Sequence, residues 1–322
     1  VVFVSNLDDH PVPVLSEDGP DCVARPVRQS LAAREARVGG QTLRRLLPHR
    51  ERRLVGAWCF LDHYGPTDVS ATAGMGVGAH PHMGLQTVTW LFDGDVLHHD
   101  SLGNQQMVRP GQLNLMTAGD GIAHAEVSPT PHLPTLHGVQ LWIALPDEHR
   151  HTQPAFDHYP VMPVVDLDGF RATVLVGQLD GIESPATVYS PLSGFEFIAA
   201  KHGAESTVAL DPGFEYAAVV VDGSVTVDGY DLRPGQLLYL GSGRHHLPML
   251  AEGNGRLLLL GGQPFGEDII MWWNFVGRTA EDMDRARDDW QAGRHFQEVP
   301  GFGGSQRIPA PPIPPGRLKP RR

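Results

Sequence analysis

Val108-Arg109-Pro110-Gly111-Gln112-Leu113 and Asp231-Leu232-Arg233-Pro234-Gly235-Gln236-Leu237 carry one signature, Arg-Pro-Gly-Gln-Leu, at two places in the same chain. Proline followed by glycine is a turn former, because proline presets φ and glycine accepts the positive φ that the next position needs. Each copy stands in its own run of short apolar stretches parted by turn residues. The first run holds Val55–Leu61, Gln86–Phe92, Gln112–Met116 and Gly138–Leu145, with breaks at Asp93-Gly94, Pro110-Gly111 and Pro146-Asp147. The second holds Arg171–Gly177, Phe195–Ala200, Ser206–Leu210, Tyr216–Asp222, Ser224–Val227, Gln236–Leu240 and Arg256–Leu260. Two strand-rich units with a shared turn predict a duplicated, all-β architecture of two barrels in tandem.

Bulk properties agree with that reading. The chain has 322 residues, more than one core readily fills, and its 37 glycines and 28 prolines suit many short strands better than a helical bundle. We divide it into an N-terminal extension over 1–38, a first domain over 39–153, a linker from Pro154 to Pro163, a second domain over 164–310 and a proline-rich basic tail over 311–322. One helix is expected, Glu281–Trp290, with Thr279 as its N-cap, Asp282 as the acidic partner of that cap, and Met283, Ala286 and Trp290 on its apolar face. The formal net charge of −12 argues against direct binding of nucleic acid or an anionic membrane surface. Only two cysteines, Cys22 and Cys59, are present, so no disulfide framework is expected and a reduced, cytoplasmic setting follows. Neither a secretory leader nor a membrane-spanning segment is expected from the sequence. No heptad or charge-patterned face stands out, which predicts a monomer.

The chemistry concentrates in two short stretches. In Ala79-His80-Pro81-His82-Met83-Gly84, two histidines two apart on an extended backbone point to one side. Gly119-Asp120-Gly121-Ile122-Ala123-His124-Ala125-Glu126 repeats that spacing with His124 and Glu126. Two strands of a small barrel, each turning such a pair inward, bring four donors to one point. Three imidazoles and a carboxylate without thiolate suit an oxidisable first-row metal such as iron. Histidine pairs also arise by chance in a chain with 17 histidines, as His98-His99 and His245-His246 show, so spacing alone leaves ligand and non-ligand readings about equal.

The arrangement resembles the pirin family of the cupin superfamily. The stretches that carry the resemblance are Arg44–Pro48, Phe60–Pro66, His80–Thr89, His99–Gly103, Thr117–Glu126, His137–Trp142 and Met271–Val276, which together span roughly residues 39–310. The resemblance implies a bicupin of two antiparallel β-barrel or jelly-roll domains, with the metal ligands falling on His80, His82, His124 and Glu126. It implies Fe(2+) as the cofactor, with Ni, Cu, Zn and Mn as other divalent ions the site would take. It also implies a quercetin 2,3-dioxygenase-like reaction, with a small aromatic substrate and dioxygen as partners and carbon monoxide as a product. The alternatives left open are a dioxygenase acting on another aromatic and a non-enzymatic regulator that binds a protein partner according to metal state.

Several residues then receive roles. Glu126 is the expected base for the substrate hydroxyl, with His99 and Asp62 next in line. Asp62 and His63 are expected at one edge of the ion, and His99 with Asp100 at another. Met83, Leu85, Met116 and Trp142 are expected to wall a slot for a flat ring. Gln86 stands where the family often has glutamate, and its neutrality is expected to alter the metal's surroundings. In the second unit the counterpart of the His80–His82 stretch, Asp211–Glu215, has no histidine pair, so no second metal is expected and His245 and His246 become polar rim residues.

Overall fold

In the computed structural model, the described residues are 14–15, 26–38 and 41–313. Parts of the expected N-terminal extension (1–13 and 16–25, with Cys22) and of the tail (314–322) therefore lie outside them.

The duplication is visible strand by strand. The first unit pairs a seven-stranded antiparallel sheet with a four-stranded one, and the second unit does the same. The seven-stranded sheet of the first unit runs Ala155–Tyr159, Leu113–Thr117, Leu85–Asp93, Thr135–Ala144, Trp58–Asp68, Gln41–Leu47 and Arg34–Val38. Its four-stranded partner runs Gly76–His82, Ile122–Val127, Val96–Asp100 and Gln105–Val108. The repeated signature builds the same turn twice. The Gln112 and Gln236 backbone N–H groups donate to the carbonyls of Arg109 and Arg233 at 3.0 and 3.3 Å. The Arg109 and Arg233 N–H groups donate in return to the glutamine side-chain oxygens at 3.1 and 3.2 Å. Gly111 and Gly235 sit at φ +83° and +89°, where a Cβ is disfavoured. The fold is thus the bicupin expected from sequence.

The two seven-stranded sheets face one another across a shared apolar core. Trp58, Val88, Trp90, Val139 and Leu141 of the first unit pack with Leu175, Val219, Leu237, Leu258 and Leu260 of the second. Polar groups fix the join: the Trp58 indole N–H lies 3.1 Å from the Ser193 carbonyl, and the Gly56 N–H donates to the buried Glu215 carboxylate at 2.6 Å. A one-residue slip in any of these strands would turn its apolar residues out of this interface.

The chain ends cross over, which the sequence-based division does not anticipate. Pro26–Ala32, placed there in the extension, is an edge strand of the second unit's large sheet, paired with Gln236–Gly241. Ala155–Tyr159, placed in the linker, is the opposite edge strand of the first unit. The helix expected in the second unit forms at Ala280–Gln291, with Thr279 and Asp282 completing the expected capping box. Its apolar face, however, packs on the first unit. Met283, Ala286 and Trp290 join Trp272, Trp273 and Phe275 against Ala79, Met83, Ala123 and Ala125. Those alanines are the outward residues of the strands that carry the inward histidines, and their small side chains let the cap approach closely. No helix among the described residues is long and apolar enough to cross a membrane.

Trp290 is 2% exposed, donates its indole N–H to the Ile308 carbonyl at 2.8 Å and lies under the Arg307 guanidinium. Trp290→Ala is expected to lower stability by about 3–5 kcal/mol, the usual range for emptying a large aromatic site. The loosening should be read in hydrogen exchange at Gly76–His82 and Ile122–Val127. Exchange raised instead in the second barrel would contradict the placement of this cap.

Candidate metal centre

Strand register brings the chemical residues together. Gly76–His82 runs antiparallel to Ile122–Val127, with His124 opposite His80 and Ile122 opposite His82. A bulge between His124 and Glu126 shifts the pairing there, a local bend of the kind that re-aims side chains near sites. On its other edge the same strand meets Val96–Asp100, with His124 opposite Asp100 and Glu126 opposite His98. Ligand-type atoms of His80, His82 and His124 all lie within 4.8 Å of one another, and so do those of His98, His124 and Glu126. His124 belongs to both groups. All five side chains are buried.

Hydrogen bonding sets which nitrogen is free. The Gly78 carbonyl lies 2.9 Å from His80 Nδ1; a carbonyl can only accept, so the proton is on Nδ1 and the Nε2 lone pair is left over. That Nε2 is buried without a partner. His82 Nε2 and His124 Nε2 face each other at 3.0 Å. A buried polar atom without a partner costs free energy, and a cation beside the convergent imidazoles would satisfy His80 Nε2.

Electrostatics agree. Burial pushes His80 down to about 4, partly opposed by the Gly78 carbonyl. Burial and the neighbouring imidazoles hold His82 and His124 well below the usual histidine range. All three are therefore neutral at pH 7, the form that ligates. Burial pushes the Glu126 carboxyl up to about 7, against a hydrogen bond from Thr89 that works the other way. Thr89 Oγ1 lies 3.2 Å from Glu126 Oε1 and 3.1 Å from Gln140 Oε1, and its single proton can serve only one of them. A protonated Glu126 resolves the conflict by donating to Thr89, which donates on to Gln140. The arrangement can thus hold a proton on Glu126 in a dry site and give it up when a cation arrives.

Several expected placements differ. Asp62 is buried, but Arg45 grips it through two 2.7 Å bonds, so it is tied into an ion pair and is not in the imidazole cluster. His63 points to the other face of its strand, where its Nε2 meets His137 Nε2 at 2.8 Å. His99 faces away from the site and packs on Phe302; strand alternation puts His98 inward in its place. Gln86 also faces away, donating to Thr117 Oγ1 at 2.9 Å and to the Thr187 carbonyl at 3.1 Å, so its neutrality does not bear on the imidazoles directly. Of the four expected wall residues, Leu85, Met116 and Trp142 share one cluster with Phe60, while Met83 sits under the C-terminal cap. Trp142 stacks on Phe60 at 4.0 Å and meets the His82 ring edge-on at 5.0 Å. Thr89, Gln140 and His98 were not singled out from sequence. Their signal was parity along a strand, readable only once each strand's partner is known.

In the second barrel the same interior is apolar. The strand that answers Ile122–Val127 is His246–Ala251, which buries Leu247, Met249 and Ala251 among Phe170, Phe195 and Phe197. His245 and His246 are exposed.

Comparison with known proteins gives a consistent picture. Residues 40–143 match the Pirin family and residues 197–296 match the Pirin C-terminal cupin domain. A Pseudomonas aeruginosa protein with the provisional name quercetin 2,3-dioxygenase is 47% identical, over 89% of this chain and 90% of its own length. A pirin-like protein of Caulobacter vibrioides is 34% identical, over 87% of this chain and 97% of its own length. The crystal structure of quercetin 2,3-dioxygenase from Acinetobacter baumannii superposes with a TM-score of 0.86 at 43% identity, covering 89% of this chain and 96% of that one.

A carboxyl pushed up to about 7 is mostly protonated at pH 6 and mostly ionised at pH 8. Binding of Co(II) to the metal-free protein should therefore release more protons at pH 6 than at pH 8, because the carboxylate form is the one that ligates. Calorimetry in buffers of different ionisation enthalpy measures the release. Glu126→Gln should remove most of the difference; an equal release at both pH values would show that Glu126 is already ionised.

Proposed function

We propose that this chain, which belongs to the pirin family, is a metal-dependent dioxygenase that opens the central ring of a flavonol such as quercetin and releases carbon monoxide. The observation that carries the reading is a buried barrel interior in which the neutral imidazoles of His80, His82 and His124 close on one another, Glu126 closes on the same His124, and His80 Nε2 lacks any partner. Relatives at 47% and 43% identity that bear the name quercetin 2,3-dioxygenase support the reaction class.

His80, His82, His124 and Glu126 would hold the ion. We propose Fe(2+), because a nitrogen- and oxygen-rich set without thiolate suits iron; Ni, Cu, Zn and Mn also accept such donors. When bound, such an ion supplies Lewis acidity toward a hydroxyl group and a one-electron couple for dioxygen. The protein's own part is positioning, proton transfer and exclusion of water. Glu126, shifting off the ion, would take the proton of the flavonol 3-hydroxyl as general base. Thr89, itself bonded to Gln140, holds the carboxyl from the neighbouring sheet. Leu85, Met116 and Trp142 offer an apolar surface for a flat ring system. The C-terminal cap over the outer face of the site strands limits access of water.

Two measurements test this reading. The iron content of the double variant His80→Ala/His82→Ala, read by mass spectrometry, should collapse relative to the unaltered protein; equal content would refute the ligand set. Iron-loaded protein should consume quercetin with matched release of carbon monoxide, and Glu126→Gln should slow that release by about tenfold or more, as loss of a general base does. Quercetin loss without carbon monoxide would indicate plain metal-driven oxidation and defeat the enzyme reading.

A further inference from the structure

Glu126 has neighbours from both sheets of the first barrel. Thr89 reaches it from the large sheet, and His98 stands directly opposite it on the small one. Ligand-type atoms of His98, His124 and Glu126 lie within 4.8 Å of one another, and the His98 and His124 rings are 5.3 Å apart. His98 is 3% exposed and tightly held. Its Nε2 lies 3.1 Å from Asp100 Oδ2, and its ring stacks on Phe156 at 4.2 Å with the planes 13° apart.

Asp100 is fixed in its turn. Its Oδ1 accepts from the backbone N–H groups of Leu102 and Asn104 at 2.9 and 3.0 Å, and the Asn104 side-chain amide reaches Oδ2 at 2.9 Å. Phe156 comes from Ala155–Tyr159, the edge strand that closes the large sheet. The imidazole is therefore locked in place by a turn on one side and a separate strand on the other. A histidine needed only to fill the core would not call for a carboxylate so fully anchored at its far end.

We propose that His98, oriented by Asp100 and Phe156, is a positioning residue of the metal centre that fixes Glu126 and His124 in their ligating arrangement. This rests on the metal-binding reading above and assigns a role to a side chain outside its four ligands. Held beside both residues, the His98 ring limits the rotamers open to Glu126 and the tilt of the His124 imidazole. Neighbours of this kind set ligand orientation and commonly govern metal affinity by about 10–100-fold.

Co(II) bound to the metal-free protein reports both quantities, since its visible d–d bands follow coordination geometry. His98→Ala should weaken Co(II) binding by about tenfold or more and shift those bands. His98→Gln, which keeps bulk and a polar end, should restore part of both. Asp100→Asn, which leaves the imidazole in place with a weaker anchor, should shift the bands by less. Thermal melting of each metal-free variant separates these effects from loss of fold. Unchanged bands and affinity in His98→Ala would overturn the proposal. So would a loss of affinity that only follows the melting temperature, with no shift and no recovery in His98→Gln. Full Co(II) affinity in His80→Ala/His82→Ala is a separate failure, which would remove the metal centre itself.

Discussion

The site depends on one strand, Ile122–Val127, held in register on both edges at once. Pairing with Gly76–His82 puts His124 opposite His80, and pairing with Val96–Asp100 puts Glu126 opposite His98. Strand side chains alternate strictly, so a slip of one residue on either edge would turn His124 and Glu126 toward the cap and Ala123 and Ala125 into the barrel. The bulge between His124 and Glu126 relieves the pairing on one edge only and leaves the other in step.

The alternation has a second consequence on the outer face. Ala79, Ala123 and Ala125 are small because Trp272, Trp273 and Phe275 must lie directly over them. Gly84 shows the same closeness: a Cβ there would stand 2.1 Å from the Val276 carbonyl oxygen. The backbone beneath the metal donors is thus clamped by residues from the far end of the chain. Pro26–Ala32, from near the start of the chain, completes the second barrel. Each barrel is finished by a segment belonging in sequence to the other side of the molecule, so neither is a self-contained stretch.

The two barrels show how one architecture is put to two uses. Both keep the Arg-Pro-Gly-Gln turn with the same hydrogen bonds, and both keep seven strands facing four. The difference lies in what the inward positions carry. In the first barrel they carry imidazoles, Glu126, Thr89 and Gln140, polar groups that tolerate burial because they pair with one another or await a cation. In the second they carry phenylalanine, leucine and valine, which close the interior outright.

Much of this was determined by sequence alone. The duplicated turn depends on four adjacent residues and their local conformational limits, so it could be read without any partner. The i,i+2 pairs His80/His82 and His124/Glu126 follow from the two-residue period of a strand, and the capping box of Thr279 with Asp282 spans only three residues. What the tertiary structure decided is everything that turns on which strand lies beside which. His98 and His99 are adjacent in sequence and equally suited to a site; only the pairing of Val96–Asp100 with Ile122–Val127 sends the first inward and the second out to Phe302. Asp62 could have served as a base, but Arg45 on the neighbouring strand claims both its oxygens. Gln86 lies next to Thr87 in sequence yet faces Thr187 of the other unit. A chain can encode a period locally, but the phase of that period relative to a site is set by contacts between residues far apart in sequence.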